Sequence, residues 1–320
     1  MRPALVFVHG IGGARDPQAE CAAWLAALAV GARKADHSGE ASPPSLCGLA
    51  EPAFAYYGDL FAARQPQGVA GTDPADAEEL RNLLDELIEV RLELGPDPRE
   101  RRILEHARAE LRPPGRTRSA GELLRRIVNV CTTLLALPGL RRAGQWAGGR
   151  LMAGHLAQVT RYLARAEHDA AGFPLDRRIR ERVLDRLDGA RPAVVVAHSL
   201  GSVVAMEALH HHRGPVPLFV TLGSPIGMRA VVRPRLLPQP PAVPGCVERW
   251  LNFWDRDDIV VPRPRLEDDV LPNAHGCLPV TGRIDSGGLW THTATKYLAH
   301  ASVAGPVMAA VRRTGETETA

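Results

Sequence analysis

An unbroken apolar run, Ala4–Val8, is closed by His9-Gly10-Ile11-Gly12-Gly13, a pattern that predicts a buried strand followed by a tight loop. Cys21, Trp24, Leu25 and Leu28 then recur at helical spacing within residues 17–33. A Gly/Pro/Ser-rich stretch over 36–48 leads into a second strand over 53–59 that ends in a turn. Strand, helix and strand in this order imply parallel pairing, because the crossover returns the chain to the same end of the sheet.

From 72 to 189 the strand pattern stops. Asp73-Pro74 offers a capping side chain and a proline for the first helical position, and Leu80, Leu83, Leu84, Leu87, Ile88 and Leu94 follow in helical steps. Asp97-Pro98 starts another helix, which must end by Pro113-Pro114. Ser119 and Glu122 have the spacing of a capping box ahead of Leu123, Ile127, Cys131, Leu134 and Leu135. Further helices are expected at 141–168 and 174–188. Strands resume at 193–197, 218–222 and 249–254, and a terminal helix is expected from near Trp290. This reading divides the chain into an α/β core (1–71 and 190–313), whose mostly parallel sheet is flanked by helices. A large helical insertion (72–189), a candidate lid, and a disordered tail (314–320) complete it.

The candidate chemistry lies at strand ends. In Ala197-His198-Ser199-Leu200-Gly201, small residues flank a serine between a strand and a helix, as a sharp turn that lifts the serine above the sheet edge requires. Ser199 is then exposed at a helix N-terminus, where the amide of Leu200 can stabilise negative charge. A second pair of donors is expected from the amides of Gly10 and Ile11, whose glycine-rich loop allows close approach of backbone to substrate. A serine needs a histidine base, and that histidine needs a carboxylate to orient it. Asp255, Asp257 and Asp258 stand together after a strand; Asp258 is favoured, Asp257 is the near alternative, and Asp255 closes the strand. With the acid between serine and histidine in chain order, the base is His275, His292 or His300. His292 is favoured because it follows the flexible Asp285-Ser286-Gly287-Gly288 and precedes an amphipathic helix.

On these residues the chain resembles the α/β-hydrolase superfamily, and within it the bacterial lipase-like serine esterases. The matching segments are VHGIGG (8–13), AHSLGS (197–202), TLGSP (221–225), residues 252–260, and the final histidine ahead of a helix containing Tyr297. The resemblance implies the α/β-hydrolase fold and hydrolysis of a carboxylic ester or thioester through an acyl-enzyme on Ser199. An acyltransferase or cyclising thioesterase would use the same residues. A catalytically inactive hydrolase fold used as a binding module would have no need of the serine, acid, histidine and oxyanion loop together.

Composition adds a charge asymmetry. Of 39 basic residues only Lys34 and Lys296 are lysines, and residues 99–165 hold 14 arginines against four glutamates. Such a segment suits an anionic head group or a membrane surface as well as it suits solvated helix faces; nucleic acid is not favoured. The apolar run 127–137 is too short to span a bilayer. Five scattered cysteines show no metal-ligand spacing, and consecutive His210, His211 and His212 point in different directions. No metal or cofactor is therefore expected. The thiols and the absence of a leader ahead of the first strand give the expectation of a cytoplasmic protein.

Overall fold

The computed structural model describes residues 2–13, 15–35, 46–62, 74–112, 120–137, 148–255, 258, 265–285 and 292–317. In chain order they form β1 (Ala4–Val8), α1 (Pro17–Ala35), α2 (Leu46–Leu49), β2 (Glu51–Ala55), α3 (Gly58–Ala62), α4 (Pro74–Glu93), α5 (Pro98–Leu111), α6 (Ala120–Leu134), α7 (Gly149–Ala164) and α8 (Leu175–Leu184). These are followed by β3 (Ala193–His198), α9 (Leu200–Leu209), β4 (Leu218–Leu222), β5 (Trp250–Asp255), β6 (Pro279–Ile284), α10 (Ala294–Leu298) and α11 (Ala301–Thr317). The protein has an α/β fold: six strands, all paired in parallel in the order β2-β1-β3-β4-β5-β6, with helices on both faces.

The apolar strands are apolar because both faces are covered. Along β1, Ala4, Val6 and Val8 join the core beneath α3–α9, while Leu5 and Phe7 join the core beneath α1, α10 and α11. In β3 the same alternation sends Val195 and Ala197 one way and Val194 and Val196 the other. After β1 the chain moves outward to β2, then crosses back to β3 on β1's opposite side. That reversal opens a crevice at the carboxyl ends of β1 and β3, the position at which open parallel sheets bind their ligands.

Helices α4–α8 lie between β2 and β3 in the chain, and their apolar positions are continuous with the core on one sheet face. Leu123, Ile127 and Leu134 of α6 are buried in that core, and α6 packs on α5 and α7. Four details depart from the sequence-based expectation. The second strand stops at Ala55, and residues 58–62 turn into α3. Pro279–Ile284 forms an edge strand where none was assigned. The terminal helix is two, α10 and α11, separated at Ala299 and His300. Finally, α11 continues to Thr317, beyond the expected end at 313, because Val307, Met308, Ala310 and Val311 anchor it and Thr314 bonds the Ala310 carbonyl at 2.7 Å. Among the described residues no helix is long and apolar enough to cross a membrane.

Candidate active site

Ser199 occupies the turn between β3 and α9 with φ 53° and ψ −131°, a left-handed conformation that costs a non-glycine residue about 1–3 kcal/mol. Bonds on either side hold it there. Its amide donates to Leu222 O at 3.0 Å, and its carbonyl accepts from the Ser202 amide at 2.9 Å and from Ser202 Oγ at 2.6 Å. Ser202 Oγ in turn lies 2.7 Å from Ser224 Oγ, which ties the turn to the loop after β4. Small residues flank the serine because there is no room for others: a β-carbon on Gly201 would lie 2.6 Å from Val8 O and closer still to His9 O.

Three side chains from three elements meet above this turn. Ser199 Oγ is 3.0 Å from His292 Nε2, and His292 Nδ1 is 2.8 Å from Asp258 Oδ2. All three are almost fully buried, at 2%, 3% and 1% exposure; Ser199 is therefore not exposed as the turn alone implied, and solvent does little to screen their interaction. A carboxylate can only accept, so Nδ1 carries the imidazole proton and Nε2 presents its lone pair to the serine hydroxyl. Tyr297, from α10, donates to the same Asp258 oxygen at 2.7 Å while accepting the Asp255 amide at 3.1 Å. Burial, reinforced by Asp258, pushes the Tyr297 phenol well above its ordinary pKa, so it remains a donor.

The favoured acid and base are thus the pair brought to Ser199. Asp257 lies outside the described residues. Asp255 ends β5, and its carbonyl accepts from the Asp258 amide at 3.1 Å, the turn that delivers Asp258. His275 is exposed in a turn before β6, where its amide bonds Asn273 Oδ1, and His300 lies between α10 and α11.

The loop after β1 faces the serine from the other side. A β-carbon on Gly10 would stand 2.5 Å from Ser199 Cβ and 3.2 Å from Ser199 Oγ, so only glycine fits there. Side chains secure this loop by its carbonyls. Tyr57 donates through its hydroxyl to His9 O, His9 Nδ1 to Gly10 O at 2.6 Å, Arg15 Nη2 to Ile11 O at 3.1 Å, and Gln158 Nε2 to Gly12 O at 2.9 Å. The Gly12 amide donates to Gln158 Oε1 at 3.0 Å. None of these bonds uses the amide of Gly10 or Ile11. The remaining expected donor, the amide of Leu200, belongs to the first residue of α9.

No protein family model, curated protein or solved structure matches this chain.

The electrostatic surroundings keep neighbouring imidazoles uncharged. His9 Nε2 accepts from the Tyr57 amide at 3.1 Å, which leaves Nδ1 as the donor to Gly10, and burial lowers its pKa to about 3. The ring of His198 lies 4.7 Å from that of His292, and burial, then the nearness of His292, holds it well below the ordinary histidine range. Neither ring brings a positive charge next to His292 near neutral pH. Among the described residues no cluster of His, Cys, Asp and Glu suits a metal ion.

Gln158, Arg15, Tyr57, Ser202 and Ser224 were not singled out from sequence. For Gln158 a signal existed: it is a polar residue within the apolar stripe of α7, beside Leu156, Val159, Tyr162 and Leu163. Arg15, Tyr57 and Ser224 sit in loops, and Ser202 in the first turn of α9, where their partners are fixed only by the fold.

Proposed function

We propose that the chain is a serine hydrolase with an α/β-hydrolase arrangement of its sheet, cleaving a carboxylic ester or thioester through an acyl-enzyme. The observation that carries this reading is the hydrogen-bonded sequence Ser199, His292, Asp258, with its serine held in a left-handed strand-to-helix turn. As the Ser199 oxygen attacks the acyl carbonyl, His292 Nε2 takes its proton, and Asp258 stabilises the imidazolium that forms. The carbonyl oxygen gains negative charge and is stabilised by the amides of Leu200 and of Gly10 or Ile11. Collapse expels the alcohol or thiol, which takes the proton from His292. Water, deprotonated by the same imidazole, then releases the acid and restores Ser199.

Several arginines of the basic segment have carboxylate partners: Arg112 with Asp85 and Glu89, Arg126 with Glu122, Arg161 with Glu167, and Arg165 with Asp176 and Glu207. This reduces what the segment offers to an anionic head group or a membrane surface.

A fluorophosphonate probe tests the reading. The wild type is expected to gain the mass of one phosphonyl group on Ser199 and to hydrolyse activated acyl esters. Ser199→Ala is expected to take no label and to lose about 10⁶-fold in kcat, as when a triad serine is removed elsewhere. Labelling that persists in Ser199→Ala overturns the proposal.

A further inference from the structure

We infer that Gln158 is a positioning residue for the proposed hydrolysis: its side-chain amide latches the loop that supplies the Gly10 and Ile11 amides, and so makes turnover depend on helix α7. The inference rests on the serine-hydrolase reading above.

Gln158 comes from the helical block and grips one residue of the loop with both ends of its amide. Oε1 accepts the Gly12 amide at 3.0 Å and Nε2 donates to the Gly12 carbonyl at 2.9 Å, across 146 residues of sequence. The side chain is 3% exposed, so water cannot replace either bond. The paired geometry fixes the orientation of the Gly12 peptide groups as well as their distance, since a planar amide meets both atoms in one plane. Gly12 is one residue from Ile11 and two from Gly10, which lies so close to Ser199 that an added β-carbon would collide with it. A rotation at Gly12 therefore passes directly into the direction of the Ile11 amide. Gln158 also occupies the Gly12 amide, which keeps that N–H from competing for the substrate oxygen.

Removing such a latch acts on the transition state more than on substrate binding, because the loop amides meet full negative charge only after attack. Phosphonylation of Ser199 develops the same charge, so its rate reads the loop directly. Three variants separate positioning from packing. Gln158→Ala removes both bonds and volume; Gln158→Met keeps the volume and removes the bonds. Gln158→Glu keeps the shape, but its carboxylate repels the Gly12 carbonyl until protonation makes one oxygen a donor, and burial raises the pH at which that happens.

The experiment measures the second-order rate of fluorophosphonate labelling of the folded, full-length chain, together with kcat and KM on an activated ester. Gln158→Ala and Gln158→Met are each expected to label about 10- to 100-fold more slowly than wild type, up to the loss that a misplacement of about 1 Å brings and short of losing a donor outright. The loss is expected in kcat, with KM little changed. Relative to wild type at the same pH, Gln158→Glu is expected to recover as pH falls from about 9 to about 5.5, as its carboxyl takes up a proton. If Gln158→Ala does not fold, the Met and Glu variants decide. Wild-type labelling rates in Gln158→Met, or a Gln158→Glu variant equally slow at every pH, overturn the inference. Absence of labelling in the wild type would instead overturn the serine-hydrolase reading itself.

Discussion

Asp258 receives two donors on one oxygen, His292 Nδ1 and the Tyr297 hydroxyl. The two roles differ. The imidazole bond fixes which nitrogen carries the proton, whereas the phenol bond fixes where the carboxylate stands. Asp258→Asn is therefore expected to lower kcat by about 10⁴-fold, because a side-chain amide that donates to Nδ1 forces the wrong tautomer. Tyr297→Phe leaves the carboxylate charged and is expected to lower kcat only about tenfold. It also removes the hydrogen bond that the Asp255 amide gives to the phenol oxygen, at a stability cost of about 0.5–1.5 kcal/mol. Steady-state kinetics and urea unfolding on the two variants check both; equal losses of kcat would mean that Asp258 acts only as scaffold. Ser199, Asp258 and Gly10 were legible in the sequence because each stands close after an apolar strand, and His292 because it precedes the apolar helical pattern of Tyr297, Leu298, Val303 and Val307. Gln158 and Tyr57 were not, since their roles depend on which helix or strand end comes to rest beside the loop.

At the scale of elements, α7, α8 and α9 are joined through one buried carboxylate. Glu207 of α9, 1% exposed, accepts from Tyr162 Oη at 2.7 Å, Arg165 Nη2 at 2.6 Å, Arg180 Nη1 at 3.1 Å and the Leu237 amide at 2.9 Å. Removing the carboxylate leaves two guanidinium groups without this partner in a low-dielectric setting. Glu207→Ala is accordingly expected to lower the unfolding free energy by about 3–5 kcal/mol, measured by urea denaturation. A change below about 1 kcal/mol would show that solvent already reaches the cluster. Helices with strong periodicity and proline starts, α4 and α5 among them, were readable from sequence: Asp97 caps α5 by accepting the Arg99 and Glu100 amides, as its position before Pro98 suggested. Strand β6 was not readable. It begins with Pro279, contains Gly282 and exposes Val280, all tolerated because it lies at the sheet edge, where half the ladder bonds are absent.

For the molecule as a whole, buried neutral histidines link stability to acidity. Burial lowers His9 to about 3 and holds His198 well below the ordinary range, whereas in the unfolded chain both titrate near 6.5. Below that pH the unfolded state takes up protons that the folded state refuses. Stability contributed by these two rings is therefore complete above about pH 6.5 and falls as the medium is acidified, by up to about 1.4 kcal/mol per pH unit for each ring. Urea midpoints measured between about pH 7.5 and 5 should fall accordingly, and more shallowly in His198→Asn; a midpoint that rises toward acid pH would contradict the neutral assignment. The parallel core was legible because its central strands β1 and β3 are buried on both faces and run apolar over Ala4–Val8 and Ala193–Ala197. The packing of α4–α8 onto that core was not, because helical periodicity shows that a face is buried without showing what covers it.

The position of β1 between β2 and β3 also sets a timetable for protein synthesis. Ala4 pairs with Glu51 on one side but with Ala193 on the other, so one edge of the apolar ALVFV strand waits unpaired while the intervening helices are made. At the usual rate of translation that wait lasts about 10 to 40 s, during which the strand is open to association with other chains. Ser199 then emerges with the strand that closes the gap, but His292 follows only after 93 further residues. For roughly another 5 to 20 s the growing chain carries a serine with no base beside it. On the proposed hydrolase reading, a ribosome-bound chain is thus inert toward acyl esters until the segment that carries His292 has been translated.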